Sequence, residues 1–143
     1  MSRFEGFRTT MQFRLERVHF MPKALEPGVI YMSEEFSTAA HLCACGCGMK
    51  VRTPLGPAEW TIEEGRLGPC VRPSIGNWQQ PCRSHYWIWE GEAVWAEDWS
   101  PKQVMAGRER EAERRRRHYH GSPSVGLWKR LIRWLLGLWG VSR

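Results

Sequence analysis

The cysteines of this chain constrain its fold more than any other feature. Three of the five lie in the segment 41–48 (HLCACGCG), and a fourth opens the segment 82–85 (CRSH). Two tight clusters of sulfur and imidazole ligands, separated by a strand-rich stretch, are typical of a split zinc site with four tetrahedral ligands. The sequence therefore predicts a small domain stapled by Zn²⁺.

This predicted metal site has more candidate ligands than places. Four of five residues are expected to bind the ion, and the sequence leaves open which one does not: Cys43, Cys45, Cys47, Cys82 and His85. The competing interpretation is a set of buried or redox-active thiols. A thiolate-rich set favours a closed structural site, although three ligands with an open position would be catalytic. Cys70 stands apart and is expected to be a small buried hydrophobe.

Short strand-like segments fill the chain up to about residue 100. Alternating or β-branched runs predict strands at 12–20, 29–32, 50–54, 59–62 and 70–72, with 33–40 as a connection or short helical turn. The clearest hairpin joins 84–89 to 92–96 through Glu90-Gly91. On its first arm, alternation places His85 and the tryptophans on one face and Ser84 on the other. The expected fold class is α+β, a β-rich zinc-stapled domain followed by C-terminal helices.

The part of the chain after residue 100 differs in composition from the domain. Ser100 and Pro101 suit the start of a helix that would run to about residue 119. We predict an N-terminal extension at 1–10, the zinc-binding domain at 11–100, a basic helix at 101–120, and a hinge with an amphipathic helix at 121–143. Six of the nine tryptophans fall in the domain, where we expect core packing, with a peptide-binding groove as the alternative.

The net charge of +6 belongs to the tail of the chain. From Lys102 onward, eleven bases and three acids give +8, whereas residues 1–101 carry ten bases and twelve acids, or −2. The amphipathic helix suits an anionic membrane surface, a protein partner or the domain itself. The domain lacks interleaved aromatic and basic residues, which argues against nucleic acid. With no secretory signal and clustered cysteines, we expect a cytoplasmic protein, with peripheral membrane attachment as an open alternative.

Four segments together resemble a known bacterial family: 27–31 (PGVIY), 41–48, 73–78 (PSIGNW) and 82–88 (CRSHYWI). This is the BubE-type family, found in operons that encode ubiquitin-like proteins with their activating and conjugating enzymes. The resemblance covers about residues 12–100. It implies a metal-binding peptidase that processes or removes the ubiquitin-like modifier by a serine-based reaction, with the modifier and its enzymes as partners.

The residues offer two candidate serines for such a reaction. Ser74 lies in a predicted turn that would present its hydroxyl beside the N–H groups of the next two residues, and Ser84 lies beside the metal segment. The pairs Ser74 with His85 and Ser84 with His41 are both open, whereas Ser84 and His85 lie on opposite faces of a strand. His85 cannot be a free base if it binds zinc.

Two functions follow from these candidates. The first is a zinc-binding peptidase, similar to a deubiquitinase, that acts on the ubiquitin-like modifier. The alternative is a zinc-stabilised adaptor without catalytic activity that binds the modifier or its conjugating enzymes. In that case Ser74 would be a turn former and Ser84 a polar neighbour of the metal.

Overall fold

The computed structural model describes residues 10–121 and, beyond them, four isolated positions that are helical and exposed: Leu131, Ile132, Trp134 and Leu135. Eight strands and one helix make up the described part, which confirms the predicted α+β class. The predicted N-terminal extension, hinge and amphipathic helix otherwise lie outside the described residues, apart from Thr10 and Gly121. Contacts divide the chain into two units, the first ending at Met105 and the second beginning at Ala106.

The first sheet holds four strands in chain order. They are β1 (Arg14–Arg17), β2 (Val29–Ser33), β3 (Thr38–Leu42) and β4 (Lys50–Pro54). β1 runs parallel to β2, and the other neighbours are antiparallel. The stretch predicted as a connection is therefore a turn at residues 34–37 followed by β3, whose small buried alanines carry little strand signal.

The second sheet is wholly antiparallel and carries the hairpin. Its strands, again in chain order, are β5 (Thr61–Glu64), β6 (Pro69–Gly76), β7 (His85–Trp89) and β8 (Glu92–Trp95). The turn between β7 and β8 has positive φ at Glu90 and Gly91, as a two-residue hairpin turn requires. The hairpin prediction is therefore confirmed.

The predicted strand at 12–20 divides between the two sheets. The Phe13 N–H donates to the Gly91 carbonyl and the Ala93 N–H donates to the Met11 carbonyl, so residues 11–13 lie along β8. β1 then pairs with β2 in the first sheet. The strand was predicted too long because local alternation does not show where a chain changes partners.

Both sheets contribute to one core, whose largest fully buried apolar side chains are Tyr86, Ile30 and Ile88. From Tyr86 to Trp89 the burial of β7 alternates, with Tyr86 and Ile88 inside and Trp87 and Trp89 exposed, which confirms the predicted faces. Of the other tryptophans in the domain, Trp60 and Trp95 pack partly buried against the core, and two surround His85. Core packing therefore explains only some of the tryptophans.

The helix α1 (Pro101–His120) begins where Ser100 and Pro101 predict it. Ser100 and Gln103 form a reciprocal cap, in which the Ser100 N–H donates to Gln103 Oε1 and the Gln103 N–H donates to Ser100 Oγ. Arginines in its charged second half pair with glutamates one turn earlier, such as Arg117 with Glu113 at 2.8 Å. Within the described residues, no helix has the length and apolarity needed to cross a bilayer.

Candidate functional site

Four cysteine sulfurs converge at one end of the first compact unit. All Sγ atoms of this cysteine cluster, formed by Cys43, Cys45, Cys47 and Cys82, lie within 4.8 Å of one another. Sulfurs that surround Zn²⁺ at its usual bond length in a tetrahedron are about 3.8 Å apart. The Cys43–Cys45 distance of 3.4 Å and the Cys43–Cys82 distance of 4.0 Å are close to that value. The four thiols could therefore hold a metal ion.

Two loops deliver these sulfurs. The loop between β3 and β4 is closed by the Cys43 N–H, which donates to the Met49 carbonyl, and positive φ at Gly46 and Gly48 lets it turn tightly. Cys82 lies in the connection between β6 and β7, which the Asn77 N–H closes by donating to the Ser84 carbonyl. The four cysteines therefore come from one connection in each of the two sheets.

The thiols of the cysteine cluster differ in acidity. Burial raises the pKa of Cys45 to about 12, together with its hydrogen bond to Cys47. Burial also acts to raise the pKa of Cys82, but hydrogen bonds from Ser84 and the neighbouring thiols outweigh it and lower the pKa to about 7. The pKa values of Cys45 and Cys82 are thus shifted in opposite directions, and a bound cation would favour the thiolate form of both.

Ser84 lies against the cysteine cluster. Its fully buried Oγ is 2.9 Å from Cys43 Sγ, 3.5 Å from Cys82 Sγ and 2.9 Å from Asn77 Nδ2, which also donates to Cys43 Sγ at 3.4 Å. Ser84 and Asn77 therefore form a polar shell around the sulfurs, of the kind that orients metal ligands.

His41 bonds to Tyr86 rather than to Ser84, the serine considered for it. The ring is 1% exposed, and its Nε2 lies 2.9 Å from the Tyr86 hydroxyl, which also accepts from the Ala44 N–H. Burial lowers the pKa of His41 to about 4, and burial followed by the Cys43 charge raises that of Tyr86. His41 is thus a neutral buried ring, and through Tyr86 it stabilises the start of the loop between β3 and β4.

His85 lies apart from the sulfurs and beside Ser74. Its Nε2 is 3.0 Å from Ser74 Oγ, and its Nδ1 is 2.9 Å from the Glu97 carbonyl oxygen. A carbonyl only accepts, so Nδ1 carries the proton and Nε2 is left to accept from the Ser74 hydroxyl. This polarity is the one that a nucleophile and its general base require.

An irregularity in β6 makes the contact between Ser74 and His85 possible. Val71 pairs with Ile88 and Ile75 with Tyr86, so four steps along β6 oppose only two along β7. Ser74 lies in this bulge, where the extra residues re-aim its side chain toward His85. Bulges of this kind are common beside active sites.

Aromatic rings enclose His85. The ring centroids of Trp78 and Trp99 lie 4.8 and 4.9 Å from that of His85, and the two indoles stack on each other at 5.7 Å. His85 is consequently 4% exposed although it lies on the outer face of its sheet. Aromatic neighbours lower the local dielectric and so strengthen the hydrogen bond between His85 and Ser74.

Strand alternation separates the two constellations. Ser84 is directed at the sulfurs and His85 at Ser74, so the cysteine cluster and the Ser74–His85 pair lie on either side of one short segment. Sequence reasoning missed Asn77, Trp78 and the Glu97 carbonyl. A backbone acceptor has no residue-type signal, Asn77 was expected only as part of a turn, and Trp78 was expected only to pack in the core.

Comparison with known proteins identifies the chain at the level of its family. A family profile described as bacterial ubiquitination-like system serine protease (BubE) matches residues 17–96, more than half of the chain. The chain belongs to this family. The matched region contains the cysteine cluster, Ser74 and His85, and stops one residue short of Glu97. Neither the curated proteins nor the solved structures gave a significant match.

Proposed function

We propose that this protein is a serine peptidase that cleaves a ubiquitin-like modifier from its precursor or its conjugates. Ser74 is the nucleophile, His85 is the general base, and the four cysteines hold a structural Zn²⁺. The observation that carries the proposal is the 3.0 Å contact between Ser74 Oγ and His85 Nε2, in a family described as serine proteases of a ubiquitination-like system.

The reaction follows from the hydrogen bonds of His85. Ser74 Oγ attacks the scissile carbonyl carbon while its proton passes to Nε2, and the Glu97 carbonyl stabilises the resulting imidazolium through Nδ1–H. The C–N bond then breaks, and Nε2 returns the proton to the leaving amine. Water, activated by the same nitrogen, hydrolyses the acyl-serine ester and restores both groups.

A metal ion in the cysteine cluster would support the Ser74–His85 pair by fixing the backbone beside it. Zn²⁺ bound by four thiolates would be a closed structural site and would cross-link the β3–β4 loop to the segment that contains Ser84 and His85. Cys82 is three residues before His85, so fixing its sulfur restricts the backbone that aims the imidazole. In this proposal Ser84 and His41 stabilise the loop between β3 and β4 and do not take part in the reaction.

Cleavage of a tail-extended ubiquitin-like protein by the full-length chain tests the proposal. We expect wild type to cut the substrate and Ser74→Ala to lose at least about 10³-fold in kcat/KM. Ser33→Ala is the control, because Ser33 is a buried serine whose hydroxyl bonds to the His19 carbonyl and the Phe36 N–H rather than to His85. It should keep its activity wherever it stays folded.

The outcomes separate the alternatives. A wild type that binds the modifier but never cuts it contradicts the peptidase and favours the adaptor. Normal cleavage by Ser74→Ala would remove the assigned nucleophile and leave the peptidase. Unfolding of the protein by a chelator would support a structural role for the metal ion. Loss of cleavage in a protein that stays folded would contradict that role.

A further inference from the structure

β6 has an open edge next to Ser74. β5 pairs with β6 only as far as Thr61 opposite Arg72. The preceding residue, Trp60, turns away, and its N–H donates to the Pro54 carbonyl. In the part of the chain that the structure describes, β6 therefore continues through residues 73–76 without a neighbour on the β5 side.

The backbone of Gly76 points toward this edge. The Asn77 N–H donates to the Ser84 carbonyl, and the Ala96 N–H donates to the His85 carbonyl. Since successive residues of an antiparallel strand present their N–H and C=O groups to opposite sides, Gly76 opposite His85 directs both groups away from β7. Gly76 is exposed, and neither group has a backbone partner among the described residues.

The same alternation directs the Ile75 N–H into the sheet, toward Tyr86. Of the two N–H groups after Ser74, only that of Gly76 is left to meet a ligand. Positions two apart on a strand are separated by about 6.8 Å. A chain lying along the edge at Gly76 would therefore come close to the backbone of Ser74, whose hydroxyl bonds to His85.

The side chains around the edge restrict what can lie there. Gly76 has no side chain, and a Cβ at this position would collide with the indole of Trp78. Trp78 in turn stacks on Trp99. The site thus combines free main-chain donors and acceptors with one aromatic wall, which suits an extended polypeptide better than a compact polar ligand.

We propose that the substrate of this peptidase binds as an added β-strand on the edge of β6 at Gly76, in the space beyond the end of β5. The occupant is the extended C-terminal tail of the modifier, and this inference rests on the proposed function. Main-chain hydrogen bonds to Gly76 hold the tail while its scissile carbonyl lies at Ser74 Oγ. Substrate residues alternate between the aromatic wall and the opposite face.

Binding to full-length Ser74→Ala, which leaves the substrate intact, tests the strand. The probes are a fluorescent peptide with the modifier's C-terminal sequence and a series in which one amide at a time is N-methylated. We expect the affinity to fall by about 3- to 10-fold or more at the one amide that pairs with Gly76 and to change little at the amides on either side of it. Equal effects at consecutive positions, or none, would overturn the proposal.

Amide hydrogen exchange in the same variant gives an internal control. The peptide should slow exchange of the Gly76 amide at least about tenfold, whereas Ile75, already in the sheet, should change little. Unchanged exchange at Gly76 in the saturated complex would refute the added strand. If the Gly76 amide exchanges slowly without peptide and this protection disappears on dilution, a second copy of this chain occupies the edge. That result would also refute the proposal.

The two proposals fail separately. If wild type cuts the peptide but no single N-methylated position weakens binding more than its neighbours, the peptidase stands and the added strand is refuted. If one position does so and wild type never cuts, the added strand stands and the peptidase is refuted.

Discussion

Replacing Ser84 with alanine is expected to weaken metal binding while leaving Ser74 and His85 in place. The Ser84 hydroxyl is fully buried and contacts the sulfurs of Cys43 and Cys82. It also accepts a hydrogen bond from Asn77 Nδ2 at 2.9 Å. The substitution removes all three contacts without adding bulk or charge.

The expected change in metal affinity follows from the contacts that the Ser84 hydroxyl makes. Groups that orient metal ligands typically contribute 10- to 100-fold to metal affinity. The lost hydroxyl also removes the 2.9 Å hydrogen bond of Asn77 Nδ2 and leaves its longer 3.4 Å contact to Cys43 Sγ. The loss of one such hydrogen bond costs about 0.5–1.5 kcal/mol. We therefore expect the Kd for Zn²⁺ to rise 10- to 100-fold, or about 1.4–2.7 kcal/mol.

Competition with a chromogenic chelator measures this Kd directly, and urea unfolding of the zinc-loaded protein measures stability. Ser33→Ala serves as the control, because it removes an equally buried hydroxyl whose partners belong to His19 and Phe36. It should lower the free energy of unfolding and leave the Kd unchanged. A Kd for Ser84→Ala within about twofold of wild type would refute the reasoning, as would an equal change in Ser33→Ala.

Three further substitutions test the core, the His41–Tyr86 contact and the cap of α1. Ile88→Ala should lower the free energy of unfolding by about 2–5 kcal/mol, since the side chain is fully buried, whereas the exposed Val94→Ala should change it by less than about 0.5 kcal/mol; equal effects in urea unfolding would contradict the assigned core. Tyr86→Phe leaves His41 Nε2 without its partner and should cost about 1–3 kcal/mol, with a shifted His41 ring signal by NMR; an unchanged ring signal would contradict the contact. Ser100→Ala removes the cap of α1 and should cost about 1 kcal/mol, seen as faster amide exchange in the first helical turn but not in β7; unaltered exchange there would exclude the capping role.

Local patterns in the sequence predicted much of the fold. Alternation along β7 placed Tyr86 and Trp87 on opposite faces, Glu90-Gly91 marked the hairpin turn, and Ser100 marked the start of α1. These features depend on neighbours a few residues apart, which a single sequence displays. Exchange of a strand between sheets, as at residues 11–17, depends on distant partners and could not be read in the same way.

The sequence by itself determined which residues can carry chemistry: a set of soft ligands, two serines and two histidines, with Ser84 and His85 on opposite faces of a strand. Only the tertiary structure decided the partners. The four cysteines converge, and His85 lies beside Ser74 rather than the sulfurs. The physical reason is that these contacts join the β3–β4 loop to the β6–β7 connection, and β6 to β7, between residues that are not local in the sequence. They depend on strand register and on a bulge in β6, neither of which a local pattern encodes.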